Sequence, residues 1–119
     1  LSQIYEVSSV MPHIIIEHSE HLPILPQVLV ERVHKAAIAT DLFDPTTVKT
    51  RAPSYQHYAL AQNIEGFIHI QAHIMEGRST EQKQKLSEAL LNCIATYCDT
   101  SYSLSVHVYD LLPEIYRKQ

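Results

Sequence analysis

The pair Met11-Pro12 carries the most unusual chemistry available to this sequence, because it stands directly before the β-branched run His13-Ile14-Ile15-Ile16. A methionine that opens a chain is normally removed when the next residue is small. A proline exposed in this way holds a secondary amine, not an amide. Ordinary α-amino groups titrate near ~8. Partial burial and cationic neighbours both disfavour the ammonium and lower that value. Such an amine can take a proton from carbon and return it elsewhere near neutral pH. By spacing alone, Pro12 also fits the plainer role of a strand-initiating proline.

As the sequence is written, Pro12 is internal and its nitrogen is an amide without basicity. The proton-transfer chemistry is therefore expected of a chain whose first residue is Pro12. Residues 1–11 read as an N-terminal extension with three candidate origins: a start assigned too far upstream, an expression scar, or a genuine leader. Leu1 can be read from TTG or CTG. Glu6-Val7 can be read from GAGGTN, which contains a ribosome-binding sequence shortly before Met11. A genuine, ordered leader is expected to add an edge strand.

Other reactive side chains make weaker cases. Among the eight histidines, the spacing His18-x-x-His21 lacks a third ligand nearby. His69 and His73 share a strand face but stand roughly 13 Å apart, too far for one zinc ion without a bend. No metal site and no cofactor are expected; these histidines read as interface residues. Cys93 and Cys98, placed on one helix, have Cα atoms roughly 8 Å apart, beyond disulfide reach. Both read as reduced thiols of a cytosolic protein, with Cys93 in the core. A late-helix thiol at Cys98 lacks an activating base.

The elements that must position these groups form a repeated strand–helix–strand pattern. Residues 13–18 are a short β-branched strand. Residues 24–41 carry Leu25, Leu29, Val33, Ala36, Ala37 and Thr40 at helical spacing, with Pro23 and Pro26 at or before the first turn. Asp44-Pro45 marks a turn, and residues 48–61 read as extended, interrupted by Pro53. In residues 67–75, Ile68, Ile70, Ala72 and Ile74 share one face, and Phe67, His69, Gln71 and His73 share the other. Ser79 and Gln82 form a capping box. It opens a helix with Leu86, Ala89, Leu90, Cys93, Ile94 and Tyr97 at apolar spacing. Residues 104–109 alternate again, with Leu104, Val106 and Val108 opposite His107 and Tyr109.

Two βαβ units predict an α+β fold: a four-stranded mixed sheet, parallel within each unit, with both helices on one face. The opposite face, with Phe67, His69, Gln71, His73 and Tyr109, is too aromatic for simple exposure and too polar for a deep core. It predicts packing against other subunits.

The bulk composition agrees with one modest domain: 119 residues, 45% hydrophobic. The net charge of −4 and the absence of a Lys/Arg block argue against a nucleic-acid partner. No apolar run is long enough to span a membrane, and no signal-peptide pattern opens the sequence. A cytoplasmic location is expected.

The segment Pro12-His13-Ile14-Ile15-Ile16-Glu17-His18-Ser19 resembles the opening of the 5-carboxymethyl-2-hydroxymuconate Δ-isomerase family, within the tautomerase superfamily. The resemblance continues at Val48-Lys49-Thr50-Arg51, where the family has two arginines spaced by one residue. It continues at Gly77-Arg78-Ser79 and reaches the tail at Leu112-Pro113 and Lys118-Gln119. It implies a homotrimer with three sheets around a central barrel and helices outside. It also implies proton shifts on a small carboxylated dienol from aromatic-acid breakdown, without a cofactor.

In that scheme Pro12 shuttles the proton, Arg78 holds a substrate carboxylate, and Arg51 and Lys49 are the further cationic anchors. Arg78 falls between a strand end and a helix N-terminus, where backbone amides also favour anions. Its guanidinium can grip a carboxylate with two parallel hydrogen bonds. Lys49 departs from the family's usual arginine and cannot make that planar contact; it also fits a charged edge residue that discourages sheet pairing. Related readings are a tautomerase acting on another enol acid, or an inactive trimeric binding protein with Pro12 blocked.

Overall fold

The computed structural model describes residues 12–119. The proposed extension at 1–11, its boundary and its added edge strand lie outside the described residues. Strand β1 spans His13–His18 and is followed by helix α1, Pro26–Ala39. A single 3-10 turn at Pro45–Thr47 leads into the short strand β2, Lys49–Arg51. Then follow β3, Gly66–Met75, helix α2, Thr80–Ala95, and β4, Tyr102–Leu111. The sheet order is β2-β1-β3-β4. The pairs β1·β2 and β3·β4 are parallel, and β1·β3 is antiparallel. The expected α+β architecture with a four-stranded mixed sheet and two helices is present.

Strand alternation builds the core. Ile14 and Ile16 of β1 and Ile68, Ile70, Ala72 and Ile74 of β3 are fully buried on one face. They meet Leu29, Val33 and Ala37 of α1 and Leu86, Leu90 and Ile94 of α2 in one apolar cluster. Both helices therefore cover the same face. Burying each large aliphatic side chain contributes about 1.5–3 kcal/mol. The other face carries His13, Ile15, Glu17, Lys49, Arg51, Phe67, His69, Gln71, His73 and Tyr109. These residues are half-buried or exposed.

The sequence boundaries shift where proline chemistry decides. The helix expected over 24–41 begins at Pro26, because the residue before a proline is pushed out of helical geometry; Leu25 is extended, with ψ 135°. Pro26 then occupies the first turn, where its missing N–H costs nothing. The extended stretch expected over 48–61 forms a strand only over Lys49–Arg51. Pro53 cannot donate to a ladder. Beyond it, a bridge between His18 and Ser54 and the Tyr55 N–H to His18 carbonyl bond (3.0 Å) hold the chain.

The two cysteines also exchange roles. Cys98 lies beyond the end of α2 and is buried in the core, whereas Cys93 is half-buried against it. The last turn of α2 rolls Cys93 toward its flank, and the chain reversal after Ala95 turns Cys98 inward. Both are free thiols. No helix of the described residues is long and apolar enough to cross a membrane.

Candidate active site

The pairing register gathers the candidate residues at one end of the sheet. His13 opens β1 and faces Lys49 at the start of β2 and His73 near the end of β3. His73 in turn faces Tyr109 near the end of β4, and Met75 faces Leu111. Pro12, Lys49, the β3 exit toward Arg78 and the β4 exit toward the tail therefore share that end. The Pro12 side chain is fully buried. Its carbonyl accepts the Lys49 backbone N–H at 3.2 Å, which ties it to β2.

On the outer face at this end lies an open cleft of about 240 Å³, lined by His13, Ile15, Arg51, His73 and Leu111. Arg51 Nη1 donates to His13 Nδ1 at 3.2 Å, and His13 Nε2 lies 2.9 Å from the Tyr116 hydroxyl. His73 stacks on Tyr109 with ring centroids 4.7 Å apart. Its Nε2 bonds Gln71 Oε1 at 2.9 Å, and Gln71 Nε2 donates to Glu17 at 2.8 Å. The Tyr55 hydroxyl donates to the other Glu17 oxygen. These two donors hold the Glu17 carboxyl below the usual carboxylate range, with Tyr55 the larger influence.

The cleft is electropositive. Lys49 donates to the Thr47 carbonyl at 3.0 Å. Its ammonium is held below the ordinary lysine value by lost hydration, then by the Lys118 and Arg51 charges. Burial lowers the His13 pKa, with Arg51, Lys49, His73 and Lys118 adding to the effect. Burial and then Arg51 lower His73. Among the described residues the one ion pair is Lys83–Asp110, on another part of the surface. Lys49, Arg51 and Lys118 thus have no carboxylate partner among the described residues. Like charges left together in this way favour an anion between them.

Arg78 sits apart from that cleft. Gly77, at φ +115°, makes the turn that β3 needs to release the chain. Arg78 then turns toward the helix side, donating to the Leu42 carbonyl and lying 5.7 Å from the Phe43 ring centre. Its Nε is buried with no hydrogen-bond partner among the described residues. Arg51 and Lys49 are thus brought together beside His13, while Pro12 and Arg78 stand at the same sheet end but do not line the cleft. His13, His73 and Tyr116 were not foreseen as site residues. Alternation places His13 on the outer face, but its partner His73 is visible only once the β1·β3 register is known. Among the described residues, no group of three His, Cys, Asp or Glu side chains is arranged to hold a metal ion.

A family model described as 5-carboxymethyl-2-hydroxymuconate isomerase matches residues 12–115. No curated protein matches the chain at a significant level. Among solved structures, a 5-carboxymethyl-2-hydroxymuconate isomerase from Deinococcus radiodurans R1 is similar at 25% identity. The likeness covers 93% of this chain and 90% of that one, with a TM-score of 0.80. A 5-carboxymethyl-2-hydroxymuconate delta-isomerase is 15% identical, with 94% and 89% covered and a TM-score of 0.74. A fused 4-OT wild-type symmetric trimer is 14% identical, with 84% and 85% covered and a TM-score of 0.70.

Proposed function

The chain belongs to the 5-carboxymethyl-2-hydroxymuconate isomerase family, and from that premise we propose that it is a cofactor-independent tautomerase acting on a small carboxylated enol or dienol. The observation that carries this reading is the cluster of Lys49, Arg51 and Lys118 without a carboxylate partner among the described residues, beside His13 at the Pro12 end of the sheet. A substrate carboxylate is the natural counter-charge for such a cluster.

In the chain that begins at Pro12, the free amine is the base. It takes the proton of the enol hydroxyl as the C=O bond forms and the diene electrons shift along the substrate. The resulting prolinium then gives a proton to a substrate carbon, so no atom is gained or lost and the amine is regenerated. Arg51, with Lys49, anchors one carboxylate and stabilises negative charge that spreads toward it. Arg78, on the helix side of the same end, is the further anchor. A carboxylate at its buried Nε would supply the acceptor that this donor lacks. Lys49, where the family has arginine, offers a point charge instead of a fork. That favours a substrate that differs from the family's own in how one carboxylate is gripped.

The test compares protein beginning at Pro12 with the 119-residue chain, following ketonization of 2-hydroxymuconate by ultraviolet absorbance. Ketonization by the Pro12 form alone is the expected result. Equal background rates in both would overturn the enzymatic reading. They would favour the second one, a binding protein whose Pro12 nitrogen stays an amide behind Met11.

A further inference from the structure

The hydrogen-bond polarity around His13 can be worked out atom by atom. A guanidinium is a donor only, so the 3.2 Å contact from Arg51 makes His13 Nδ1 the acceptor. A neutral His13 then carries its hydrogen on Nε2. That Nε2–H donates to the Tyr116 hydroxyl oxygen at 2.9 Å. Burial, and then the charges of Arg51 and Lys49, lower the His13 pKa and so favour the neutral ring. A phenol that has accepted one hydrogen bond must point its own hydrogen elsewhere, and no acceptor for it lies within bonding distance among the described residues. The Tyr116 O–H is therefore a donor without an acceptor among the described residues.

The tail fixes that donor in place. The Ile115 and Tyr116 N–H groups both donate to the Leu112 carbonyl, at 3.1 and 3.0 Å. The Tyr116 ring packs edge-on to His13, with centroids 6.1 Å apart. Lys118 brings positive charge to the same place, close enough to act on both Lys49 and His13. Arg51 and Tyr116 flank opposite edges of one imidazole. Two hydrogen bonds and the width of a ring separate them, more than the span between the two oxygens of one carboxylate.

The geometry points to Tyr116 as a specificity-determining donor for the second carboxylate of a dicarboxylate substrate, with His13, which lines the cleft, as the positioning residue that holds it at the cleft's rim. This rests on the reading of the cleft as a carboxylate site. The tail thus distinguishes diacids from monoacids, and it does so at the binding step, whatever the state of Pro12.

The test uses the full chain and two probes with the same six-carbon diene: trans,trans-muconate, a diacid, and sorbate, its monoacid counterpart. Tyr116→Phe keeps the ring packing and removes only the hydroxyl. It is expected to weaken muconate binding about tenfold and leave sorbate unchanged, the size expected of one hydrogen bond to a charged group. His13→Phe reproduces that loss. His13→Gln, which keeps an N–H facing Tyr116, restores most of the affinity. Long-range proton–nitrogen spectra are expected to show His13 with a bare Nδ1.

Equal effects of Tyr116→Phe on the two probes, or no effect on either while Arg51→Ala weakens both, would overturn the role of the tail and leave the cleft reading standing. If Arg51→Ala changes neither probe, the cleft reading itself fails, and this inference falls with it.

Discussion

Arg51 acts on both cleft histidines, so its removal has a readable consequence at single-residue resolution. Arg51→Ala deletes the charge that lowers His13 and His73, and it also deletes the donor on His13 Nδ1. Both pKa values are expected to rise toward 6.5, observed by NMR titration; burial, Lys49 and Lys118 still hold His13 somewhat low. The same variant is expected to lose about 1.5–3 kcal/mol of diacid binding. The two histidines also set a pH dependence. Their folded values lie below the unfolded one, so the unfolded chain binds more protons once the pH falls below 6.5. Their contribution to stability is therefore complete above pH 6.5 and is lost as the pH drops through the folded values. Denaturation midpoints measured across that range should fall on the acid side, and less steeply with muconate bound, because an anion in the cleft favours the charged imidazoles. At this scale the sequence was legible only in part. Pro12, Lys49, Arg51 and Arg78 could be picked out by residue type and resemblance. His13, His73 and Tyr116 could not, because they meet through a strand register and a tail contact 103 residues apart in sequence.

Local capping signals and apolar alternation were the most legible features of the elements, since both are settled within a few residues. The Ser79–Gln82 box predicted from spacing is present, with Gln82 N–H to Ser79 Oγ at 3.1 Å and Ser79 N–H to Gln82 Oε1 at 2.9 Å. Ser79→Ala is expected to cost about 1 kcal/mol, read from a denaturant midpoint with an unchanged slope. The strand over residues 67–75 appears as Gly66–Met75, one residue longer, and Gly66 shows why its identity matters. A Cβ built there would lie 2.5 Å from Ser19 Oγ and 3.0 Å from the Tyr102 ring. Gly66→Ala is therefore expected to destabilise by about 1–3 kcal/mol through overpacking, measured by thermal unfolding. The stretch 52–61, expected as extended chain interrupted by Pro53, does not continue the ladder beyond Arg51, because Pro53 has no N–H to give it. Its Tyr55 and Tyr58 instead pack on Phe67 at 6.2 and 5.5 Å between ring centres, which no local pattern announces. The Cys93–Cys98 exchange has the same origin: the helix pattern was extended past Ala95, where the chain has already turned.

Among the described residues, the sheet is covered by helices on one face only. Two helices close the apolar side of the sheet, while the side carrying Phe67, His69, Gln71, Tyr109 and His107 has the Tyr55–Tyr58 loop at one end as cover. Among the described residues, the edge strand β4 also leaves ten residues of backbone without a strand partner on its outer side, opposite an edge of three residues bearing Lys49 and Arg51. A long free edge and a half-buried aromatic face are both liabilities in a monomer, and a closed cyclic assembly removes both at once. The family resemblance implies that this assembly is a homotrimer, and light scattering is expected to give three times the chain mass at micromolar concentration. Ser105 offers the cleanest probe. It lies exposed on the outer face of β4, bonded through its hydroxyl to His69 Nδ1 at 2.6 Å. Ser105→Lys leaves the helix-side core untouched but places one ammonium per chain on the sheet face. If that face is the interface, the variant should fall to chain mass while keeping its far-ultraviolet dichroism. Its melting temperature should lose the concentration dependence of the parent. A parent that runs as a monomer, or a variant that keeps its assembly, would place the subunit contacts elsewhere and leave the aromatic face to a different partner.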